Sequence, residues 1–340
     1  MNKPIISVVM PTYNSAHTLE RALTSINNQS FPQESVEILV IDGGSTDKTL
    51  SIAKKYNCII LKNLRKLPEC AKHIGIQNAH GIYCVFLDSD EVLSNKDSFQ
   101  IKYMLLQKNN KVKNCLIGGL VNPPDYPFVN EYASQIGDPF SYFMYGVNAG
   151  NYIQSLKSKF KSQIVQDSYI LYTVTNETLP ICDGGGHFFD LSYLKNNFDI
   201  QNEKIVSTIF ERMVRKTKHF AIVKNDFVLH YSNTSVQKYI GKIRWRVIGN
   251  IHYPKENITG FSEREKSQTL TFRIKKLLFI PLSISLIWPI YSTVILCLKN
   301  KNVLYTLHIL FSFYTATIIA YYYLLGICNI KPQISVYGKQ

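Results

Sequence analysis

The sequence predicts an α/β fold with a mostly parallel sheet flanked by helices, followed by a C-terminal pair of transmembrane helices. From Ile5 onward, short β-branched runs alternate with amphipathic stretches, which is typical of a parallel sheet with covering helices. Near the C-terminus, residues 277–298 and 303–330 are uncharged and mainly apolar. Each segment exceeds the roughly 20 residues that a helix needs to cross a bilayer core.

The first 90 residues predict repeated βα units, whose ligands collect beyond the carboxyl ends of the strands. The predicted strands are Ile6–Met10, Val36–Ile41, Cys58–Leu61 and Tyr83–Leu87, and the predicted helices run from Ser15 to near Gln29, from Thr46 to Lys55 and from Cys70 to Asn78. Ser15 and Ser45 are expected to cap the helices that follow them.

The pattern weakens after residue 93. A polar helix is predicted to about Lys113, a strand near Cys115–Leu120 and an aromatic-rich stretch over residues 126–152. We therefore divide the chain into an α/β domain (1–235), a basic and interfacial helical segment (236–276), two transmembrane helices (277–330) and a tail (331–340).

The charge is strongly positive and concentrated beside the hydrophobic segments. The formal net charge is +14, and residues 237–276 hold ten Lys or Arg against three acidic residues. Such a run favours an anionic membrane face, and no nucleic-acid-binding motif is present. Five Lys or Arg residues flank the two hydrophobic segments, against two in the linker between them. This distribution predicts a protein of the cell membrane whose α/β domain is cytoplasmic. A re-entrant hairpin kinked at Pro281 and Pro289, and a buried hairpin of a soluble protein, are alternatives.

The seven cysteines are odd in number and contain no C-x-x-C pair. They predict neither a disulfide framework nor a zinc site, and they fit a reducing cytosol.

Carboxylates follow the second and fourth predicted strands. Asp42 and Asp47 follow the second strand, and Asp88 and Asp90 follow the fourth. An acidic pair on alternate residues directs hard oxygen ligands at one cation, which predicts a site for Mg²⁺ or Mn²⁺ that bridges a diphosphate. An ordinary acidic turn is the alternative for the pair, and an Asx turn is the alternative for Asp42.

Four motifs occur in a defined order: Ser7–Asn14, Val40–Asp47, Ala71–Gly75 and Leu87–Asp90. Because of these motifs and their order, the sequence closely resembles glycosyltransferase family 2. The resemblance is tight over residues 5–91 and loose over about 180–235. The resemblance implies a GT-A-type nucleotide-diphospho-sugar transferase domain. It further implies that Pro11, Thr12 and Tyr13 line the base pocket, that Asp42 contacts the nucleoside, and that Asp88 and Asp90 hold the metal and the donor diphosphate.

The resemblance extends to further donor-site residues. Where the family often has Ala-Arg-Asn, this chain has Ala71-Lys72-His73, so Lys72 supplies a cation for phosphate without the fork of arginine. His73 is expected to be a solvated helix residue. The segment Cys182–Phe189 resembles the glycine-containing stretch under the donor sugar, which implies a donor contact at Gly185, with a hairpin turn as the alternative.

The proton acceptor is expected among three carboxylates. An inverting transfer needs a carboxylate opposite the leaving phosphate. Glu203 is the first candidate, with Asp199 and Asp183 as substitutes, and a simple helix-terminal charge is the alternative for Glu203. His230 matches a family position that touches the metal or diphosphate, and it is otherwise a structural histidine.

Arg244 and Trp245 resemble part of the Gln-x-x-Arg-Trp signature of processive synthases and are expected to contact substrate. Gly241 replaces the glutamine, and two hydrophobic helices are few for a polymer channel, so we expect single-sugar addition. An interfacial amphipathic helix is a further interpretation of this stretch.

The resemblance implies inverting transfer of one sugar from a nucleotide-diphosphate sugar. Because a membrane anchor confines the enzyme to the plane of lipid-linked substrates, the expected acceptor is membrane-associated, in particular a polyprenyl-linked saccharide. Transfer directly to polyprenyl phosphate is a nearer alternative, although no Gly-Lys-Gly-type loop precedes the third helix. A nucleotidyltransferase is an alternative of another class, since it shares the βα architecture and the acidic metal site. A non-catalytic basic protein that binds lipid or nucleic acid is the third.

Overall fold

The protein is described by a computed structural model covering residues 3–160, 162–175, 177–180, 182, 185–232, 234–254, 264–265 and 268–333. The chain forms two compact units. Unit 1 contains residues 1–123 and 149–232, and unit 2 contains residues 124–148 and 233–340. The sequence-based boundary at 235 lies close to the observed one, but residues 124–148 group with the C-terminal unit.

Unit 1 is built on a mixed sheet of nine strands within the described residues. The strands are β1 (Ile6–Thr12), β2 (Val36–Asp42), β3 (Ile59–Lys62), β4 (Tyr83–Phe86), β6 (Asn114–Leu116), β8 (Ser162–Val165), β9 (Tyr169–Thr173), β10 (Phe188–Asp190) and β11 (His219–Val223), in the spatial order β3-β2-β1-β4-β10-β6-β11-β9-β8. The half that contains β1 to β4 is parallel, as predicted. Strand β10 pairs antiparallel with both β4 and β6, so the whole sheet is mixed rather than mostly parallel.

A second, smaller sheet of unit 1 has the order β5-β12-β7. Its strands are β5 (Glu91–Leu93), β7 (Gly119–Val121) and β12 (Phe227–His230). The predicted strand Cys115–Leu120 is therefore divided between two sheets. The antiparallel register of β5 and β12 places His230 opposite Glu91, so residues far apart in the sequence become neighbours.

Helices cover the large sheet because their apolar residues recur on one face. Those of unit 1 are α1 (Ala16–Asn27), α2 (Thr49–Lys55), α3 (Pro68–Asn78), α4 (Ser98–Lys108), α7 (Tyr152–Lys157), α8 (Leu191–Asn197) and α9 (Ile209–Thr217). In α1, for example, Leu19, Leu23 and Ile26 have no solvent exposure. Strand residues such as Val9 and Phe86 lie with α3 and α8 in one apolar cluster.

The predicted caps differ from the observed ones. Ser15 is the N-cap residue of α1 but makes no side-chain cap hydrogen bond. Helix α2 begins at Thr49 rather than Thr46, and its first turn is held by Asp47, which accepts a hydrogen bond from the Thr49 N–H at 2.9 Å. Ser45 bonds to Asp42 instead of capping a helix.

Unit 2 is helical throughout its described elements. Its helices are α5 (Phe128–Gln135), α6 (Pro139–Tyr145), α10 (Val236–His252), α11 (Leu270–Ile284), α12 (Ile287–Asn300) and α13 (Leu307–Ile327). Residues Val303–Ile327 form a helix that is long and apolar enough to cross a membrane. The sequence analysis predicted a single helix over the first hydrophobic segment. The structure instead has two helices there, α11 and α12, whose axes are bent by 90° at a break around Leu286. The two-helix transmembrane hairpin is therefore not confirmed.

Candidate active site

Asp42 ends β2, and its carboxylate holds the loop that follows. Its two oxygens accept hydrogen bonds from the Gly44 N–H at 2.9 Å, the Ser45 N–H at 2.8 Å and the Thr12 hydroxyl at 3.1 Å. Asp42 and Thr12 are both buried. These bonds match the Asx-turn alternative, and a contact between Asp42 and a nucleoside stays a prediction.

Pro11 lies near the carboxyl end of β1 and Tyr13 directly follows this strand, and both residues are partly exposed. The Lys66 ammonium lies 5.1 Å from the centre of the Tyr13 ring, a cation–π distance. Lys66 adopts a left-handed backbone conformation with φ of 59°, which is uncommon for a lysine. The loop before α3 thus brings a cation to the tyrosine that the resemblance assigns to the base pocket.

The acidic residues after β4 lie beside His230. The Asp90 carboxylate is 3.4 Å from the Nε2 atom of His230, and the backbone N–H of Tyr231 donates to the Asp90 carbonyl at 2.7 Å. The Glu91 carboxylate accepts a hydrogen bond from the Asp88 N–H at 2.8 Å. All three residues that the sequence assigned to the metal site, Asp88, Asp90 and His230, therefore belong to one neighbourhood.

The ionisable side chains of this neighbourhood shift one another's pKa values. Burial and then the charge of Asp88 raise the pKa of Glu91 to about 8. Burial alone would lower the pKa of His230, but its hydrogen bond to Asp90 and the charges of the three carboxylates raise that pKa to about 9. A group of carboxylates that stabilises an imidazolium is electrostatically suited to a divalent cation.

Lys72 adds a buried cation on the other side of Asp88. Its ammonium lies 3.4 Å from Asp88 Oδ1 and 5.3 Å from the centre of the Phe86 ring. Burial would lower the pKa of Lys72, but Asp88, Glu91 and Glu69 raise it, so the side chain is charged. His73, the next residue, is buried and pairs with the Ile200 carbonyl at 2.8 Å, so the expectation of a solvated histidine was wrong.

Oxygen and imidazole ligands of this kind fit Mg²⁺ or Mn²⁺ chemically. However, no group of three or more His, Cys, Asp or Glu side chains in the described part of the chain is arranged to hold a metal ion. Metal binding would therefore require Asp88, Asp90 and His230 to rearrange, or the donor diphosphate to supply oxygen ligands. The metal roles of these residues stay predictions.

The glycine-containing stretch leads directly to β10 beside this cluster. Gly185 has φ of 54°, and a Cβ there would lie 3.1 Å from Leu120 and 3.6 Å from Glu91 Oε1. Gly186 has φ of 75°, and its N–H donates to the Phe86 carbonyl at 3.0 Å. The backbone conformation and the close packing both favour glycine, and a contact with donor sugar stays a prediction.

A buried ion pair supports this stretch and was not predicted from the sequence. The Lys102 ammonium lies 2.7 Å from the Asp226 carboxylate, and neither side chain has any solvent exposure. Lys102 also donates to the Ser98 hydroxyl at 3.0 Å and the Gly186 carbonyl at 3.4 Å. It thereby joins α4, the glycine stretch and the turn before β12, which carries His230.

The candidate catalytic bases differ in their surroundings. Glu203 begins the 3₁₀ helix Glu203–Thr208 and pairs with Arg65 at 2.5 Å, with both side chains about half exposed. Asp199 is exposed and accepts a hydrogen bond from the Gln201 N–H at 3.0 Å. Asp183 lies outside the described residues. The Arg65–Glu203 pair is a second feature that the sequence analysis missed.

Arg244 and Trp245 belong to α10 of unit 2. Arg244 Nε donates to the Tyr322 hydroxyl at 2.7 Å, and the Trp245 side chain is buried. Their substrate contacts stay a prediction.

The parallel half-sheet and the polar residues beyond its strand ends define an α/β domain of the GT-A-like class. Among solved structures, the chain is similar to the mannosyltransferase PcManGT from Pyrobaculum calidifontis in complex with GDP-Man and Mn²⁺. The TM-score is 0.51 at 14% identity, and the alignment covers 94% of this chain and 88% of that one. This similarity confirms the predicted fold.

Residues 7–173 match the family model described as Glycosyl transferase family 2. Over this domain the chain belongs to glycosyltransferase family 2, which confirms the resemblance seen in the sequence.

Individual relatives agree. An uncharacterized glycosyltransferase of Haemophilus influenzae is 41% identical over 115 residues, which are 31% of this chain and 44% of that protein. A dolichyl N-acetyl-alpha-D-glucosaminyl phosphate 3-beta-D-2,3-diacetamido-2,3-dideoxy-beta-D-glucuronosyltransferase of Methanococcus voltae is 26% identical over 228 residues, covering 61% of this chain and 67% of that one. The chain thus spans less than half of the Haemophilus protein.

Proposed function

We propose that this protein transfers a single sugar, with inversion, from a nucleotide-diphosphate sugar to a membrane-associated acceptor. The acceptor class is a polyprenyl-linked saccharide of glycan or polysaccharide biosynthesis, and the reaction uses Mg²⁺ or Mn²⁺. The enzyme acts at the cytoplasmic face of the cell membrane.

The observation that carries the proposal is the neighbourhood of Asp88, Asp90, Glu91 and His230. These residues gather at the carboxyl end of β4, where α/β folds bind ligands. The Asp88 and Asp90 carboxylates supply oxygen atoms that suit a divalent cation, and Lys72 supplies a positive charge beside Asp88. A donor diphosphate brings the opposite charge, so the same edge of the sheet suits a metal–diphosphate ligand.

Each donor-site residue has a role in this proposal. Pro11 and Tyr13 bound the base pocket, while Thr12 and Asp42 form its buried floor and bind the nucleoside. Lys72 neutralises a phosphate oxygen. A divalent cation held by Asp88, Asp90 and His230 would supply charge neutralisation for the departing nucleoside diphosphate.

At Gly185 a side chain would press against Leu120 beside Glu91, so the glycine keeps a backbone conformation that lets the chain lie close to the donor sugar. Glu203 removes the proton of the acceptor hydroxyl, with Asp199 and Asp183 as the substitutes. For this step Glu203 must leave Arg65, with which it is paired. Arg244 and Trp245 contact the acceptor side of the substrate.

The membrane acceptor has two sources of support. The name of the Methanococcus relative describes a dolichyl-linked substrate for that protein. This chain also carries an apolar helix of membrane-crossing length in unit 2 and a strongly basic stretch before it. An enzyme bound to a membrane meets lipid-linked acceptors in the plane where they lie.

A screen of mass-tagged nucleotide sugars tests this proposal. The full-length protein is incubated with each donor and a membrane lipid extract in Mn²⁺, Mg²⁺ or EDTA. We expect one donor to be consumed in a metal-dependent manner and its sugar to appear on a lipid-linked saccharide. Asp90→Asn should lower this activity about 1,000-fold, because several kcal/mol of charge stabilisation are lost. Asp167→Asn, at an exposed turn, is the matched control.

The products separate the alternatives. Label on polyprenyl phosphate itself identifies a polyprenyl-phosphate glycosyltransferase. Pyrophosphate released from a nucleoside triphosphate and a sugar phosphate identifies a nucleotidyltransferase. Equal activity of Asp90→Asn and the control would refute the site.

A further inference from the structure

The helices α12 and α13 of unit 2 have an unusual distribution of polarity. Their buried faces carry polar side chains, namely Ser292 and Thr293 in α12 and His308, Ser312 and Thr315 in α13. Apart from Lys299 near the end of α12, their exposed large side chains are apolar or aromatic and include Ile287, Ile290, Val294, Leu298, Leu310, Phe313, Leu324 and Ile327. A helix packed for water shows the reverse arrangement. An apolar surface of this extent indicates a contact with lipid hydrocarbon or with an apolar partner.

Helix α10 lies alongside helix α13 over most of the length of α10. The rings of Tyr239 and Phe311 are 4.9 Å apart near the beginning of the two helices. Near their ends, His252 Nε2 lies 3.0 Å from the Tyr322 carbonyl oxygen. The two helices therefore run in the same direction for about 20 Å, at a rise of about 1.5 Å per residue.

The outer face of α10 is cationic. Lys238, Lys242 and Arg246 recur every four residues along it and are exposed. If α13 crossed a bilayer upright, its companion α10 would carry these cations into the hydrocarbon core, which is roughly 30 Å thick. Cations at that depth are strongly unfavourable. The pairing of the two helices therefore argues for an orientation in which α10 stays among headgroups and water.

The geometry of α11 and α12 agrees with this orientation. They contain 15 and 14 residues, so each is only about 22 Å long, and they are bent by 90° at their junction. Leu286 at the junction has φ of 62°, a left-handed conformation that ends the helical path. Neither helix is long enough to cross a bilayer core by itself.

We propose that unit 2 is a monotopic membrane module. Helices α12 and α13 lie parallel to an anionic phospholipid surface, with their apolar faces in one leaflet, and do not cross the bilayer. Lys299 and Lys301 follow the apolar face of α12, and Arg273 and Lys276 lie on α11, so cations flank the apolar surface. Anionic headgroups complement this rim, as they do for interfacial helices. The inference rests on the proposed membrane association and replaces the transmembrane hairpin predicted from the sequence.

Spin-label depth measurements test this orientation on the full-length protein bound to vesicles of phosphatidylcholine and phosphatidylglycerol. Nitroxides are placed at the exposed positions Leu310→Cys and Tyr321→Cys, about 16 Å apart along α13. The background replaces the partly or fully exposed Cys58, Cys297 and Cys328 with serine. We expect equal, shallow depths of about 5–10 Å. Lys242→Cys on α10 is the control and should remain accessible to water.

Depths that differ by about 16 Å would show that α13 crosses the bilayer and would overturn the proposal. Labels that stay in water when vesicles are added, or that are already covered by a second copy of the protein in solution, would overturn it as well. Equal binding to vesicles of phosphatidylcholine alone would contradict the role of the cations.

A second measurement does not depend on depth. Lys299→Cys and Lys331→Cys flank α13, and a membrane-impermeant maleimide should label both from the same side of native membranes. Labelling from opposite sides would contradict the monotopic arrangement. Neither experiment uses a sugar donor, so an inactive enzyme would refute the proposed reaction and leave the membrane proposal intact.

Discussion

Charged side chains are buried in unit 1, whereas the buried polar side chains described in unit 2 include no Asp, Glu, Lys or Arg. In unit 1, the fully buried Lys102 has Asp226, Ser98 and Gly186 as partners. In unit 2, the buried hydroxyls of Ser283, Thr293 and Ser312 have no hydrogen-bond partner among the described residues. Both units leave some buried polar atoms without a hydrogen-bond partner among the described residues, for example the Asn114 amide nitrogen in unit 1. The difference between the units lies in charge, because unit 1 buries an ion pair. Unit 2 buries small polar side chains where its helices approach one another, a feature common in membrane proteins.

The largest effect should come from breaking the buried ion pair of unit 1. Lys102→Met leaves the Asp226 carboxylate buried without its cation, so we expect the free energy of unfolding to fall by about 3–5 kcal/mol. Chemical denaturation followed by circular dichroism measures it. Lys102→Met combined with Asp226→Leu should recover most of this loss, because no unpaired charge remains. A single variant as stable as the wild type would show that the pair does not support the glycine stretch.

The next largest effect concerns the catalytic base. Glu203→Gln should lower kcat for transfer about 100-fold or more, since a positioned proton acceptor contributes at least that much. Asp199→Asn is the matched control, because Asp199 is exposed and its observed bond is to the nearby Gln201 N–H. Steady-state kinetics with the donor identified by the screen measure both variants. If Asp199→Asn caused the larger loss, the assignment of the base would pass to Asp199.

The sequence alone was sufficient to predict those features of unit 1 that depend on residues close together in the chain. The strand-end positions of Asp42 and Asp88 follow from patterns within a few residues, and the family motifs occur in the same stretch. The position of His230 opposite Glu91 depends on the register of β5 and β12, which no local pattern encodes. The pairing of Lys102 with Asp226 was missed for the same reason, because a lysine in a polar helix is normally solvated.

In unit 2 the sequence was less informative, because hydropathy reports composition and not orientation. Residues 277–298 and 303–330 passed a length criterion for crossing a membrane. The prolines at 281 and 289 indicated a kink, but the 90° bend at Leu286 and the pairing of α10 with α13 are tertiary features. Patterns of single segments cannot reveal which face of a helix is covered.

A moderate effect is expected where unit 2 does satisfy a buried polar group. The Tyr132 hydroxyl is hydrogen-bonded to Nδ1 of the buried His308. Tyr132→Phe removes this partner while keeping the ring, so we expect a loss of about 1–3 kcal/mol in stability. Thermal unfolding in detergent micelles or vesicles measures it. An unchanged midpoint would mean that the histidine finds another partner and that unit 2 tolerates unpaired groups generally.

The smallest effect should come from a buried hydroxyl of unit 2 that has no partner among the described residues. Ser312→Ala removes such a hydroxyl from the interior face of α13 and retains a small side chain, so helix packing is preserved. Because no hydrogen bond is lost, we expect stability to change by less than about 0.5 kcal/mol or to rise slightly. The same unfolding measurement compares it with Tyr132→Phe. A loss as large as that of Tyr132→Phe would reveal a hydrogen bond of Ser312, and uncharged polar contacts would then stabilise unit 2 where unit 1 uses a buried ion pair.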